Sequence, residues 1–253
     1  MLRRLGRLRR SLVRRIRAFR NPPVGGLRVG PYRPPLPETP ATDADAATTR
    51  AFHEMYYRSW LDRRGTMDLH WFGYRTMKTP MDMWAYQEIV AETKPEVIVE
   101  CGTAYGGSSL FFAALLDLLG RGDVITIDVE ARPGQPTHPR IARIVGSSVD
   151  PGVVADVRSR IGGRRTMVVL DSDHHEPHVS AELRAYADLV SPGCYLIVED
   201  MNVNGHPVLP EHGPGPTEAV EAFLATTDRF EVDRDRERFL LTLNPGGYLR
   251  RVG

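Results

Sequence analysis

Five short apolar runs alternate with helical patterns in the middle of this chain, and this alternation restricts the fold more than any other feature. The runs are EVIVEC (96–101), DVITID (123–128), ARIVGS (142–147), TMVVLD (166–171) and GCYLIVED (193–200). The helical patterns that separate them cover 108–119, 151–161 and 177–190. Short buried strands that alternate with helices are typical of βαβ units and a parallel sheet. The sequence therefore predicts an α/β fold with five strands in succession.

The end of the chain departs from this alternation. A predicted helix near 216–226 is followed by the runs FEVDR (230–234) and FLLTLN (239–244), with a short charged turn between them. Two runs joined by so short a turn pair as antiparallel neighbours, because a parallel pair needs a long crossover. We expect an antiparallel hairpin at the edge of the sheet, which gives a mostly parallel sheet of seven strands with helices on both faces.

The first 94 residues divide into three predicted segments. Residues 1–20 carry nine arginines and no acid, with apolar residues at helical spacing. Such a segment fits a helix on an anionic membrane surface or on a partner subunit, and a poorly ordered basic tail is an equal alternative. Residues 21–42, rich in proline and glycine, predict a linker. Residues 43–94 predict a helical region whose aromatic stretch, 52–74, is core, a lid over a substrate or a subunit contact.

Composition restricts the class of protein. The formal net charge is +1, but residues 21–253 carry 24 basic and 32 acidic side chains, a formal charge of −8. This acidic body argues against nucleic acid as a partner. Cys101 and Cys194 lie in apolar runs, which predicts buried free thiols in a reducing compartment. The sequence has no apolar run of about eighteen residues, the length needed to span a membrane. We expect a cytoplasmic protein.

A glycine-rich turn follows the first predicted strand, in the stretch ECGTAYGGSS (100–109). Gly102, Gly106 and Gly107 let the backbone approach a ligand closely, and the next helix offers free N–H donors. The spacing differs from the GxGxxG dinucleotide fingerprint, and a tight connection without a ligand is the alternative. Asp128 ends the second strand, where a carboxylate can bind ribose hydroxyls. Together these features predict a nucleoside site.

Two serines close the third predicted strand. Ser147 and Ser148 follow Gly146 and are suited to hydrogen-bond the edge of an adenine. Serines are also common helix caps, and a cap before Pro151 is an equal alternative.

Three carboxylates, those of Asp171, Glu199 and Asp200, lie where the fourth and fifth predicted strands end. Carboxyl ends of parallel strands meet at one edge of the sheet, where these groups would repel one another. A divalent cation holds such a set ionised, and oxygen ligands favour magnesium or manganese over zinc. His174 is then a candidate general base. Imidazole from His174 or His175 would also suit a softer metal, and a solvated loop is the alternative without function.

Four separated motifs between residues 71 and 202 resemble a known family. They are WFGYRTMKTPMDMWAYQE (71–88), KPEVIVECGTAYGGSSLFFA (94–113), LDSDHH (170–175) and VEDMN (198–202). In these motifs the chain is similar to the cephalosporin hydroxylase and rhamnosyl O-methyltransferase family. That resemblance implies the class I methyltransferase fold over residues 95–253, the cofactor S-adenosylmethionine, and kinship with magnesium-dependent macrolide sugar and catechol O-methyltransferases.

The resemblance also implies roles for individual residues. The implied cofactor-binding residues are Glu100, Gly102, Thr103 and Ser108 at the glycine turn, Asp128 at the ribose, Ser148 beside the adenine, and Asp171. The implied magnesium ligands are Asp171, Glu199 and Asp200, because the interval of 28 residues between the first two matches related magnesium-dependent enzymes. Asp173 is the alternative first ligand. His174 matches the proposed base of the macrolide sugar enzymes.

We therefore expect an O-methyltransferase that uses S-adenosylmethionine and magnesium and modifies a hydroxyl of a rhamnose-type deoxysugar. The sugar would be nucleotide-linked or glycosidic, in bacterial natural-product or glycolipid biosynthesis. The alternatives are a β-lactam tailoring enzyme that works on a cephem with a hydroxylase partner, a non-catalytic scaffold subunit, and an NAD-dependent dehydrogenase, which the glycine spacing disfavours. A homo-oligomer is expected on general grounds.

Overall fold

The computed structural model describes residues 42–61 and 69–253. The predicted basic helix, residues 1–20, and the predicted linker up to residue 41 lie outside these ranges. The described chain begins with helix α1 (Asp43–Leu61), which confirms the helical pattern at that place. No helix in the described ranges is long and apolar enough to cross a membrane.

A seven-stranded sheet occupies the centre of the fold. Its strands are β3 (Val97–Cys101), β4 (Asp123–Asp128), β5 (Ile141–Val145), β6 (Thr166–Leu170), β7 (Tyr195–Val198), β8 (Phe230–Val232) and β9 (Tyr248–Arg251), and they follow a small hairpin of β1 (His70–Trp71) and β2 (Tyr74–Arg75). The order in the large sheet is β5-β4-β3-β6-β7-β9-β8. Strands β3 to β7 pair in parallel, and β9 is antiparallel to β7 and to β8. The predicted mostly parallel sheet is confirmed.

Five further helices connect the strands. They are α2 (Pro80–Thr93), α3 (Gly107–Leu119), α4 (Pro151–Ile161), α5 (Glu176–Tyr186) and α6 (Pro216–Leu224). Three of them begin with a proline at N1, where its missing N–H costs no helical hydrogen bond. Helices α2 and α3 pack against each other, as do α5 and α6.

Strands β3 and β6 are buried at every position. Helices cover parallel strands on both faces, which explains why their sequences read as continuous apolar runs rather than alternating ones. Large side chains around them, such as Tyr86, Phe112 and Tyr186, are fully buried. Each contributes about 2 kcal/mol by leaving water, so the strand ends rest on a rigid core.

The strand order reverses between β3 and β6. From β3 the chain runs outward through β4 to β5, and then returns to the other side of β3 as β6. Cys101 of β3 lies opposite Leu170 of β6, and the N–H of Asp171 donates to the carbonyl of Cys101 at 2.8 Å. Ligands of doubly wound sheets bind at such a reversal, outside the carboxyl ends of the strands.

One predicted strand is wrong. Residues 239–244 form a loop, and the strand that pairs with β8 is the later β9. The loop makes polar contacts with the start of α2 and the carboxyl edge: Leu243 N donates to Asp82 Oδ2 at 3.1 Å, and Asn244 Nδ2 donates to the Tyr86 hydroxyl at 2.8 Å. The Asp82 carboxylate thus occupies the backbone N–H of Leu243, which a strand would need for its ladder, and the Tyr86 contact fixes the Asn244 side chain. Apolar periodicity alone could not reveal them.

Candidate active site

The glycine turn places the end of β3 against the end of β6. Gly102 has φ +98°, and a Cβ at this residue would lie 1.8 Å from the carbonyl oxygen of Asp171. Only glycine combines this φ with so close an approach. Gly106, also with positive φ, precedes α3 and contributes no side-chain cap. The first N–H groups of α3 are therefore suited to an incoming ligand.

Asp128 joins the end of β4 to the same turn. Its Oδ2 accepts a hydrogen bond of 2.8 Å from Ala104 N, and its Oδ1 accepts one of 3.0 Å from Glu130 N. The side chain is partly exposed. A carboxylate has about four lone-pair sites, so Asp128 can hold the turn and still accept from ribose hydroxyls.

Glu100 lies beneath the turn and is fully buried. Its Oε2 accepts hydrogen bonds from the hydroxyls of Ser109 and, at 2.7 Å, Thr126. Its Oε1 has no hydrogen-bond partner among the described residues. Burial raises the pKa of Glu100 above its ordinary value, although surrounding hydroxyls and Lys78 oppose the rise. An unpaired buried carboxylate oxygen is costly, so Glu100 is suited to accept a hydrogen bond from a ligand bound at the turn.

The other predicted residues of the turn contribute differently. Thr103 is buried, and its hydroxyl lies 2.6 Å from that of Thr126, so it is engaged inside the fold. Ser108 is buried in the first turn of α3. The structure thus brings Gly102 and Ser108 to the turn and directs the Thr103 hydroxyl away from solvent.

Ser148 forms part of a buried polar group behind the end of β5. Its hydroxyl donates to Glu182 Oε1 at 2.5 Å, and the Ser172 hydroxyl donates to the same oxygen at 2.7 Å. His178 Nε2 lies 3.1 Å from the Ser148 hydroxyl. The cap of α4 is Asp150, which accepts from the first N–H groups of that helix. The alternative of a serine cap is therefore wrong, and Ser148 stays a candidate for the adenine side.

The ends of β6 and β7 bring together an acidic cluster of Asp171, Glu199 and Asp200. His174 lies between two of its members: Nδ1 is 3.1 Å from Asp200 Oδ2, and Nε2 is 3.4 Å from Asp171 Oδ1. The His174 Nε2 atom is buried and has no hydrogen-bond partner among the described residues. The cluster and its imidazole adjoin the glycine turn, because Gly102 touches Asp171. The predicted convergence of these side chains is confirmed.

Lys78, which the sequence analysis did not single out as a site residue, occupies the other side of the cluster. Its Nζ donates to Asp171 Oδ2 at 2.7 Å and to Glu199 Oε1 at 2.6 Å, and the side chain is 2% exposed. Lys78 precedes α2 and reaches the site from a distant part of the chain. The signal that could have revealed it is composition: only two of the 33 basic residues are lysines.

The charges in the cluster shift one another's pKa values. Burial lowers the pKa of His174, but Asp200 and Asp171 outweigh burial and raise it to about 9. Burial would raise the pKa of Asp171, yet Lys78 and His174 hold it below its ordinary value. Burial and the neighbouring Asp171 raise the pKa of Glu199, against the opposing effect of Lys78. Burial likewise raises the pKa of Asp200. These carboxylates lie close together, and Lys78 alone does not compensate their negative charge.

Helix α1 also reaches the acidic cluster. The Tyr57 hydroxyl donates to Asp200 Oδ1 at 3.0 Å and lies 3.2 Å from Asn202 Oδ1. Asn202 Nδ2 in turn lies 2.9 Å from His53 Nδ1. The aromatic stretch therefore has more than one role: Tyr57 is buried at the site, whereas Trp71 packs on the core with its ring 5.0 Å from that of Phe111.

The donor set fits a divalent cation. One ligand atom each from Asp171, His174 and Asp200 lie within 4.8 Å of one another. Glu199 is outside this group and has one oxygen bound by Lys78. Asp173 is exposed and pairs with His175 at 2.6 Å, so the geometry favours Asp171 over Asp173 as the first ligand. Carboxylate oxygens suit magnesium or manganese, and a single imidazole does not change that preference.

The sheet has this strand order with one antiparallel insertion, and a glycine turn and an acidic strand end lie where the strand order reverses. Together these features define a class I methyltransferase. The comparison with known proteins is more specific. Residues 63–252 match the family model described as rhamnosyl O-methyltransferase/CmcI. The chain belongs to this family and is an S-adenosylmethionine-dependent O-methyltransferase.

Relatives and solved structures agree with this assignment. A rhamnosyl O-methyltransferase of Mycobacterium tuberculosis (strain ATCC 25618 / H37Rv) is 36% identical over 214 residues, which cover 81% of this chain and 85% of that protein. A rhamnosyl O-methyltransferase of Mycobacterium leprae (strain TN) is 36% identical over 79% of this chain and 89% of its own length. The apo structure of CmcI-N160 has a TM-score of 0.58 and 25% identity, and covers 74% of this chain and 77% of that chain. The Mg-SAM structure of CmcI-D160 has the same TM-score at 24% identity, over 74% and 78% of the two chains.

Proposed function

We propose that this O-methyltransferase transfers the methyl group to a hydroxyl of a rhamnose-type deoxysugar and that it requires magnesium. The observation that carries the metal is the convergence of the carboxylates of Asp171 and Asp200 beside the glycine turn, where one oxygen of each lies within 4.8 Å of the other. The sugar rests on the relatives named rhamnosyl O-methyltransferase, which align over most of both chains. Bacterial natural-product or glycolipid assembly is the corresponding setting.

The cofactor would lie across the carboxyl ends of β3 and β4. Glu100 would accept a hydrogen bond from its amino group, the glycine turn would contact its methionine part, and Asp128 would bind its ribose. Ser148 would lie beside its adenine. When bound, S-adenosylmethionine supplies an electrophilic sulfonium methyl group, so the chain must orient an acceptor oxygen and remove its proton.

Asp171, Glu199 and Asp200 would hold the metal. When bound, magnesium supplies positive charge that offsets these carboxylates and lowers the pKa of an acceptor hydroxyl. Lys78 already engages one oxygen each of Asp171 and Glu199, so these two side chains would use their remaining oxygens.

His174 would act as the general base. Nδ1 faces Asp200, which orients the ring, and Nε2, which has no hydrogen-bond partner in the part of the chain that the structure describes, can take a proton. The carboxylates keep the pKa of His174 at about 9, so the imidazole carries a proton at neutral pH while they are uncompensated. Once their charge is offset, burial of the ring acts in the opposite direction and favours the neutral base.

Four expectations about the wider setting remain proposals. Residues 1–20 would contact a membrane surface or another subunit through their arginines, and the chain would form a homo-oligomer. Cys101 and Cys194 are buried free thiols, which supports a reducing compartment such as the cytoplasm. The acidic body argues against nucleic acid as a partner.

The decisive experiment is transfer of labelled methyl from S-adenosylmethionine to a panel of nucleotide-linked and glycosidic deoxysugars, with magnesium and with excess chelator. Label on a rhamnose-type sugar that disappears with the chelator is the expected result. Transfer that survives the chelator would remove magnesium from the reaction. A cephem acceptor belongs in the same panel: methylation of it, with no sugar labelled, would replace the sugar assignment by the β-lactam alternative.

A further inference from the structure

We propose that Lys78 is a built-in cation of the acidic cluster, which compensates part of its charge and competes with divalent metal for it. This inference rests on the metal role under the proposed function. In this role, Lys78 sets the net negative charge of the site, and thereby the affinity of the site for a metal ion.

The contacts of Lys78 are those of an ion bound in a site. Its Nζ lies 2.7 Å from Asp171 Oδ2 and 2.6 Å from Glu199 Oε1, two carboxylates from adjacent strands. It also lies 5.9 Å from the centre of the Tyr86 ring. The side chain is almost fully buried, so water does not screen these interactions.

The backbone that presents Lys78 is firmly held. The next residue, Thr79, is the N-cap of α2: its hydroxyl accepts from Asp82 N at 3.1 Å and donates to Asp82 Oδ2 at 2.7 Å. Asp82 also accepts from the Tyr248 hydroxyl at 2.7 Å. The preceding residue, Met77, has a positive φ of 56°. These contacts hold the backbone of Lys78 beside the cluster.

The residue type supports an electrostatic role. Of 33 basic residues in the chain, 31 are arginines, and the second lysine, Lys94, lies at the end of α2 away from the cluster. A guanidinium is a broad planar fork that binds a carboxylate side-on, whereas an ammonium is a compact point charge on a flexible stem. The Lys78 ammonium lies between two carboxylates of neighbouring strands as a compact positive charge, as a metal ion would.

The charge count points to one divalent ion. When the three carboxylates are ionised and the His174 imidazole is neutral, the form that the proposed function gives it with metal bound, the cluster carries three negative charges, and the Lys78 ammonium cancels one of them. Two negative charges then remain, the amount that a single magnesium or manganese ion offsets. Without Lys78 the cluster would attract metal more strongly and would be less stable when no metal is bound, because like charges at short range repel.

The test is the variant Lys78→Met, which removes the charge and keeps the length of the side chain. Manganese is the probe, measured by calorimetry and by its paramagnetic resonance signal, and thermal unfolding is followed with and without the metal. We expect Lys78→Met to bind manganese at least tenfold more tightly than the wild type. We also expect its unfolding temperature without metal to be lower than that of the wild type, and added manganese to raise that temperature more than it does for the wild type. Equal or weaker manganese binding by the folded variant would overturn the proposal.

Two controls separate charge from other effects. Lys94→Met removes the other lysine and should leave manganese binding and unfolding unchanged. Lys78→Arg keeps the charge and should bind manganese within about threefold of the wild type. If Lys78→Arg tightens binding as much as Lys78→Met does, shape rather than charge is responsible and the proposal fails.

The remaining outcomes are also decisive. If Lys78→Met does not fold alone, the proposal requires that manganese or the second change Glu199→Gln restores folding, and failure of both overturns it. If the wild type binds no manganese, the metal part of the proposed function fails. The role of Lys78 is then decided separately: manganese binding gained in Lys78→Met supports it, and no gain refutes it.

Discussion

The hydroxyl of Tyr57 lies 3.0 Å from Asp200 Oδ1 and donates a hydrogen bond to it. The two residues are 143 positions apart, and they connect helix α1 to the end of β7. A hydrogen bond to this partly buried carboxylate restricts its rotation and leaves the other oxygen directed at His174. Helix α1 is therefore part of the wall of the active site.

Removing the Tyr57 hydroxyl should disturb the position of Asp200. We expect Tyr57→Phe to lower kcat about tenfold and to cost about 1 to 2 kcal/mol of stability, because a charged hydrogen-bond acceptor loses its partner. Tyr56→Phe is the matched control on the same helix: its buried hydroxyl has no hydrogen-bond partner among the described residues, so its loss should leave kcat unchanged and should not lower stability. Steady-state methyl transfer and urea unfolding measure both effects. Equal behaviour of the two variants would contradict the positioning role of Tyr57.

The carboxylate of Asp200 should be indispensable to turnover. We expect Asp200→Asn to keep its fold and to lose activity by at least about 100-fold, since the neutral amide is a weaker magnesium ligand and has no charge with which to orient the protonated His174 ring. Asp173→Asn removes an exposed carboxylate that pairs with His175 and should keep nearly full activity. The measurement is labelled methyl transfer together with manganese binding. An Asp200→Asn variant that still turns over would exclude Asp200 from the metal site.

The pKa of His174 predicts a pH dependence of stability in the absence of metal. Its value is about 9 in the folded protein, above the ordinary value of 6.5, so the protonated ring stabilises the fold. This contribution is complete below pH 6.5 and is lost as the pH rises through 9, by up to about 3 kcal/mol. Urea unfolding in chelator between pH 6 and pH 9.5, roughly spanning these values, measures the loss.

The variant His174→Gln should lack the part of the stability loss at high pH that comes from deprotonation of His174. His206→Gln, which changes an exposed histidine that pairs with Glu218, should retain it. A wild-type protein whose stability does not fall over this range would show that Asp171 and Asp200 do not hold a proton on His174.

The close approach at Gly102 should make this residue irreplaceable. Gly102→Ala would place its Cβ 1.8 Å from the carbonyl oxygen of Asp171, a backbone atom that cannot move aside. Gly134→Ala is the matched control, because Gly134 also has a positive φ but no atom lies within 4 Å of its added Cβ. We expect Gly102→Ala to be less stable than Gly134→Ala by at least about 2 kcal/mol. Comparable melting temperatures would mean that the two strand ends can separate.

Local sequence patterns were sufficient for the strand ends and their chemistry. The apolar runs identified β3, β4 and β6 almost to the residue, and in a parallel sheet the residue after each strand faces the same edge. The convergence of Asp171 with Glu199 and Asp200 follows from that rule alone. For the same reason Asp128 could be placed beside the glycine turn before any coordinates were known.

The local sequence pattern was misleading where side-chain hydrogen-bond partners determine the local structure. Residues 239–244 have the composition of a strand but form a loop, because Asp82 and Tyr86 of α2 bind their polar groups. The serines after β5 were ambiguous between cap and ligand site, and Asp150 takes the cap. In both places the outcome depends on a side chain that periodicity does not record.

The sequence by itself determined the α/β class, the glycine turn, the acidic strand ends and the resemblance that assigns the enzyme to its family. These features depend on residues close to one another in the chain or on the regular geometry of a parallel sheet. Only the tertiary structure decided that Lys78 binds Asp171 and Glu199 and that Tyr57 binds Asp200. Those contacts join segments about 90 to 140 residues apart, and burial in a shared core, not local pattern, brings such segments together.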